Sequence, residues 1–182
     1  MRKWTALTSR RDVLRMCGWA AAGLLVAPRR PRAAVRDRVI SLYNTHTEEA
    51  LVVEYSSRGR YQPEALRALN RLLRDHRSGD VYPMDPELLD LLWELRLRMG
   101  SRAPFSVISA YRSPKTNAAM RRESPGVAAH SYHMQGRAID VFLPDRDLRL
   151  LRNVAASLRR GGVGYYPHAG FVHVDTGPVR YW

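Results

Sequence analysis

The sequence predicts an α+β domain, a central and mainly antiparallel sheet flanked by helices. Three observations carry that expectation. Leucines recur at three- and four-residue spacing within residues 63–76, 85–99 and 145–160, as on the buried face of a helix. Short runs rich in Val, Ile, Tyr and Phe read as strands, and the turns between the first two and the last two are short enough for hairpins. Helices precede and interleave with these strands, and no internal repeat or low-complexity segment interrupts them.

The chain opens on a stretch that reads as an address rather than as structure. Residues 1–34 hold eight Arg or Lys and one acid, so they carry +7 of the formal net charge of +13. Ser9-Arg10-Arg11-Asp12-Val13-Leu14-Arg15 presents the twin-arginine pattern. The weakly apolar run after it, residues 18–27, is too short to span a bilayer as a stable helix. Export to the periplasm by the twin-arginine machinery is the expectation. Arg29, Arg30 and Arg32 crowd the approach to Ala33-Ala34, and no clean A-x-A site appears. Cleavage after either alanine and retention as an uncleaved inner-membrane tether both stay open. Cys17 is the single cysteine; Arg15 and Met16 stand before it where a lipidation site needs small residues. Residues 35–182, the expected functional domain, therefore have no disulfide partner and no thiol chemistry.

Residues 38–43 (R-V-I-S-L-Y) and 50–55 (A-L-V-V-E-Y) read as a hairpin around the turn Asn44-Thr45-His46-Thr47. His46 has no ligand-like neighbour there and reads as a plain turn residue. Residues 63–76 form a helix on Leu66, Leu69, Leu72 and Leu73. Asp85-Pro86, a capping residue followed by proline at the first helical position, starts another that runs to about Met99. Residues 104–109 are a short buried strand that delivers Ala110-Tyr111-Arg112-Ser113 at its end, and a helix carrying Asn117 follows over 114–122. Residues 126–132 are loop and 137–142 strand. A helix over 145–160 is closed by Gly161-Gly162, and strands at 163–166 and 171–175 end the core pattern.

The chemistry concentrates in residues 130–140, H-S-Y-H-M-Q-G-R-A-I-D, and in residues 171–175, F-V-H-V-D. His133 and Asp140 are seven apart, the wrong spacing for one helical face but right for a loop running into a strand. Gly136 permits the turn between them. Alone, they would pass for a surface loop histidine and a strand-end charge. His173 on a second strand completes a set of two imidazoles and a carboxylate, ligands that suit Zn²⁺ with a fourth position open for water. Such a zinc lowers the pKa of its water to about 7 and polarises a carbonyl oxygen.

The pattern S-x-H-x-x-G-x-A-x-D, filled here by Ser131, His133, Gly136, Ala138 and Asp140, resembles that of the LAS-type zinc peptidases. That superfamily includes D-Ala-D-Ala carboxypeptidases, phage endolysin endopeptidases and the hedgehog signalling domain. Within it, residues 130–140, 161–167 (G-G-V-G-Y-Y-P) and 171–182 (F-V-H-V-D-T-G-P-V-R-Y-W) are most similar to the murein endopeptidases of Gram-negative bacteria. The likeness extends through the export signal over nearly the whole chain. It implies a hedgehog- or D-Ala-D-Ala-peptidase-like fold, one Zn²⁺ on His133, Asp140 and His173, and cleavage of peptidoglycan cross-links. Those joining two diaminopimelate residues are expected, with D-Ala–diaminopimelate links as the alternative. A zinc-stabilised wall-binding or signalling module without turnover is the other class the resemblance allows.

Arg112 is the expected holder of substrate: it stands at a strand end, and its planar fork matches a carboxylate. The family often places Gln five positions later, where this chain has the shorter amide of Asn117. Ser131 either bonds substrate or fixes the loop. The family's proton-moving positions before the last ligand hold Phe171 and Gly170, which move none. His130, on the motif-bearing loop, is the first candidate for general base, with His168 as a further imidazole. Asp175, on the same strand face as His173, serves either as base or as an orienting partner for that ligand. Tyr165 and Tyr166 either line a cleft or pack, with packing the expectation. The remaining charge of +6 on residues 35–182 suits the carboxylates of peptidoglycan stem peptides. Nucleic acid is not an expected partner, because export removes the opportunity and no stacking or helix-turn-helix motif is present.

Overall fold

The structure is a computed structural model that describes residues 36–182 save Pro125; the leader expected over residues 1–34 lies outside them. The α+β expectation holds. Strands β1 (Arg38–Asn44), β2 (Ala50–Ser57), β3 (Arg60–Tyr61), β4 (Phe105–Ser109), β5 (Ala138–Phe142), β6 (Gly162–Tyr166), β7 (Phe171–Asp175) and β8 (Arg180–Tyr181) form one sheet. Its order is β3-β2-β1-β4-β5-β7-β6-β8. Only β1–β4 and β6–β8 are parallel; the other neighbours are antiparallel. Among the described residues no helix is long and apolar enough to cross a membrane.

Helices α1 (Pro63–Leu72), α2 (Pro86–Met99), α3 (Pro114–Glu123) and α4 (Leu148–Leu158) all begin where local chemistry dictates. Asp85 accepts from the Glu87 N–H, Ser113 from Thr116 and Asp147 from Leu150, so each side chain satisfies an amide the helix leaves open. Helix α2 packs its leucine face on the sheet. Its Leu88, Leu89, Leu92 and Leu95 are essentially inaccessible, packed with Ile40, Leu42, Phe105, Ile139, Val141, Val172 and Val174. Two helices are shorter than their leucine patterns suggest. Helix α1 stops at Leu72 rather than His76, because Asp75 turns its carboxylate on the Arg77 and Ser113 N–H groups and its carbonyl on Gly79. Helix α4 starts at Leu148 because Asp147, not Asp145, is the cap.

The strand pattern decides what each face carries. Ile139 pairs with Val174 and Val141 with Val172, all pointing into the core. The period of two then puts Asp140 opposite His173, and Ala138 opposite Asp175, on the other face. A one-residue slip of β7 would bury this histidine in the leucine core, so the apolar alternation fixes the register of the site.

Candidate metal centre and cleft

His133 sits on a single 3-10 turn, Tyr132–Gln135, just before β5. Ser131 caps the turn by accepting from the His133 N–H at 3.3 Å. Gly136 ends it at φ +66°, with its own Cα so close to the chain that a Cβ would lie 2.3 Å from the Pro83 carbonyl oxygen. Only glycine satisfies both the backbone angle and the contact. The turn therefore holds His133 where it reaches the neighbouring β4 end: its Nδ1–H donates to the Ala110 carbonyl at 2.7 Å.

That bond leaves the His133 Nε2 lone pair facing inward. The same logic applies to His173, whose Nε2–H donates to Asp175 at 3.0 Å and whose Nδ1 faces Asp140 at 2.8 Å. His133 Nε2 stands 3.2 Å from His173 Nδ1 and 3.4 Å from an Asp140 oxygen. Two imidazole lone pairs and a carboxylate thus converge in a buried place. Ligand atoms 2.0–2.1 Å from a tetrahedral ion stand about 3.3 Å apart, so the spacing fits a metal. The electrostatics agree. Burial disfavours the Asp140 charge, but His133 and His173 outweigh it and hold the carboxyl well below its usual range. Burial likewise opposes charge on His173, yet its bonds to Asp140 and Asp175 raise its pKa. The three groups together call for a cation.

A cleft of about 850 Å³ opens over this cluster. Ser109, Arg112, His130, Ser131, Tyr166, Phe171, Arg180 and Trp182 are among its walls. Arg112 is buried, and its contacts are long: 3.4 Å to Asn117 Oδ1, 3.5 Å to Ser109 Oγ and 3.9 Å to Asp140. Its Nε has no partner among the described residues. A guanidinium with unused donors at the edge of a cleft is poised for an anionic ligand.

Several site residues take places that the sequence left open or placed differently. Asn117 is buried, and its amide holds Arg112 and the Ala128 carbonyl instead of lining the cleft. Asp175 is fully buried and stands outside the cleft lining, away from where a base would meet substrate. It accepts from His173, from the Gly162 and Gly177 N–H groups and from both terminal nitrogens of Arg180. The bond from His173 suits the orienting role. Ser131 caps the loop and borders the cleft. His130 is exposed on the cleft wall, whereas His168 lies in the exposed β6–β7 turn and lines no part of it. His46 is more than a turn residue: it stacks on His76 at 3.8 Å and borders the cleft. Burial, His46 and Arg77 push His76 down to about 4, so it is neutral near pH 7. The sequence assigns no individual role to Arg180 or Trp182; the Asp-Thr-Gly turn after His173 is the signal that β8 folds back.

Strands β5 and β7, with the 3-10 turn that precedes β5, bring an aspartate and two histidines to the floor of an open cleft, an arrangement that fits a peptidase of the metal-binding class. The chain belongs to the family described as peptidoglycan L,D-endopeptidase MepK (peptidase M15_2), whose model matches residues 32–182. It is 41% identical over 177 residues to peptidoglycan L,D-endopeptidase MepK of Escherichia coli strain K12, covering 96% of this chain and 97% of that protein. It is also 40% identical over 185 residues to the probable peptidoglycan L,D-endopeptidase MepK of Haemophilus influenzae, covering 100% of this chain and 94% of the relative.

Proposed function

We propose that this protein is a zinc-dependent peptidase that hydrolyses the diaminopimelate–diaminopimelate cross-links of peptidoglycan. The observation that carries the proposal is the under-satisfied Arg112 guanidinium beside three converging metal-ligand atoms in one cleft. Bound zinc supplies an activated water and polarises the scissile carbonyl. Arg112 takes the substrate carboxylate next to the scissile nitrogen and fixes the amide over the cluster. His133 and His173 are held in one tautomer each by Ala110 and Asp175, so their lone pairs need no reorganisation. His130 is the imidazole on the cleft wall available to move a proton.

Stereochemistry supports the choice of bond. In a link between two diaminopimelates the acyl carbon belongs to an L centre and the amine to a D centre. A D-Ala–diaminopimelate link has D centres on both sides. The relatives' names specify an L,D-endopeptidase, which matches the first. The test is a digest of defined dimeric muropeptides, 3-3 and 4-3 linked, side by side. The 3-3 dimer is expected to be cut faster, and a chelator to stop the cut until zinc is returned. Preferential cutting of the 4-3 dimer overturns the linkage; binding to sacculi without products would favour a non-catalytic module.

Twin-arginine export to the periplasm belongs to the same proposal, since the substrate lies there. Replacing Arg10-Arg11 by Lys-Lys is expected to keep the protein in the cytoplasm, read by fractionation and immunoblot. Normal export of that variant removes the pathway.

A further inference from the structure

Part of the cleft wall is aromatic, and its construction is specific. Gly164 faces His173 across β6–β7, and Tyr166 faces Phe171, so all four share the face that carries the metal cluster. Glycine inside a strand packs nothing and weakens it, which marks a close approach by another group. Here the group is the Trp182 indole: a Cβ on Gly164 would lie 2.6 Å from its ring. The Trp182 backbone is clamped to β6 by bonds to the Val163 carbonyl and the Tyr165 N–H. Its ring lies 5.2 Å from that of His173, and its Nε1–H donates to the Tyr166 hydroxyl at 2.7 Å.

The result is a phenol whose oxygen already accepts a hydrogen bond and whose own proton has no acceptor among the described residues. Accepting one bond strengthens the donor on the same atom. Tyr166 is stacked on Phe171 at 4.7 Å, yet it is 38% exposed and lines the cleft. Packing alone would be served as well by phenylalanine.

We propose that the Tyr166 hydroxyl is a catalytic hydrogen-bond donor to the scissile carbonyl oxygen as that oxygen takes on negative charge, with Trp182 as its positioning residue. The inference rests on the peptidase reading above. When water adds to the carbonyl carbon, the π electrons move to oxygen, and a donor aimed there stabilises the transition state more than the bound substrate. The loss should therefore fall on kcat rather than on KM.

Tyr166→Phe keeps the stack and removes only the hydroxyl. It is expected to lower kcat on the 3-3 dimer about fivefold to tenfold, with KM and bound zinc unchanged. Affinity for a phosphinate analogue of the tetrahedral state, measured by calorimetry, should fall by the same factor, while affinity for the product peptide stays constant. Trp182→Phe, which keeps a ring but loses the N–H, should show a smaller loss in the same two readouts. An unchanged kcat in Tyr166→Phe, or a loss confined to KM, overturns the inference and leaves the peptidase reading standing. A wild-type protein inactive on every dimer removes both.

Discussion

His133→Ala and His173→Ala are each expected to lose the bound zinc and to slow cross-link cleavage at least about a thousandfold, roughly 4 kcal/mol of transition-state stabilisation. Each imidazole contributes one inward lone pair, and each is fixed in that tautomer by a bond from its other nitrogen. With one removed, an imidazole and the Asp140 carboxylate remain, too few protein ligands for a stable site. Metal content after dialysis is the primary measurement, with circular dichroism to confirm the fold. The fold check matters most for His133→Ala, which strips the buried Ala110 carbonyl of its donor at a cost of about 1–3 kcal/mol. Asp175→Asn provides the graded comparison. As an orienting partner its loss should weaken zinc binding about ten- to a hundredfold without abolishing it. Alanine variants that bind as much zinc as wild type would end the ligand assignment. Asp175→Asn with full zinc affinity and no cleavage would restore Asp175 as the base.

Much of this arrangement is legible in the sequence because the same residues set both local and long-range structure. Asp85-Pro86 announces the start of α2, and the alternation of Val172 and Val174 with His173 fixes which face of β7 the ligand occupies. Gly136 is readable as a turn residue, although its contact with the Pro83 carbonyl is not. What resisted reading depends on contacts between distant segments. Strands β3 and β8 are two residues each, too short to show a period, and exist because β2 and β6 offer them an edge. The end of α1 is set by Asp75 reaching Ser113, a partner 38 residues away. Asn117 resembles a substrate contact by spacing, yet its burial beneath the 126–132 loop turns it toward Arg112 and Ala128. Arg180 acquires meaning only when β8 folds back and sets its guanidinium on Asp175.

Arg112→Ala is expected to slow cleavage of the 3-3 dimer at least about tenfold, about 1.4 kcal/mol. Burial disfavours the charge on this guanidinium and Arg77 adds to the cost, with Asp140 pulling the other way; the net effect lowers its pKa. A cation kept in such a place without a full set of partners costs stability rather than adding to it. A substrate carboxylate would supply the missing charge and accept two donors from the planar fork at once. Arg112→Lys returns a positive charge but no fork, so it should recover only part of the lost rate. Asn117→Ala should act in the same direction and more weakly, since it loosens the guanidinium without removing it. The substrate offers a matching probe. Amidation of the carboxylate beside the scissile nitrogen should slow the wild-type enzyme by a factor similar to Arg112→Ala, and should cost the variant little more. If instead the variant and the amidated substrate each lose rate and their losses multiply, the two groups do not meet, and Arg112 holds the cleft together rather than the substrate.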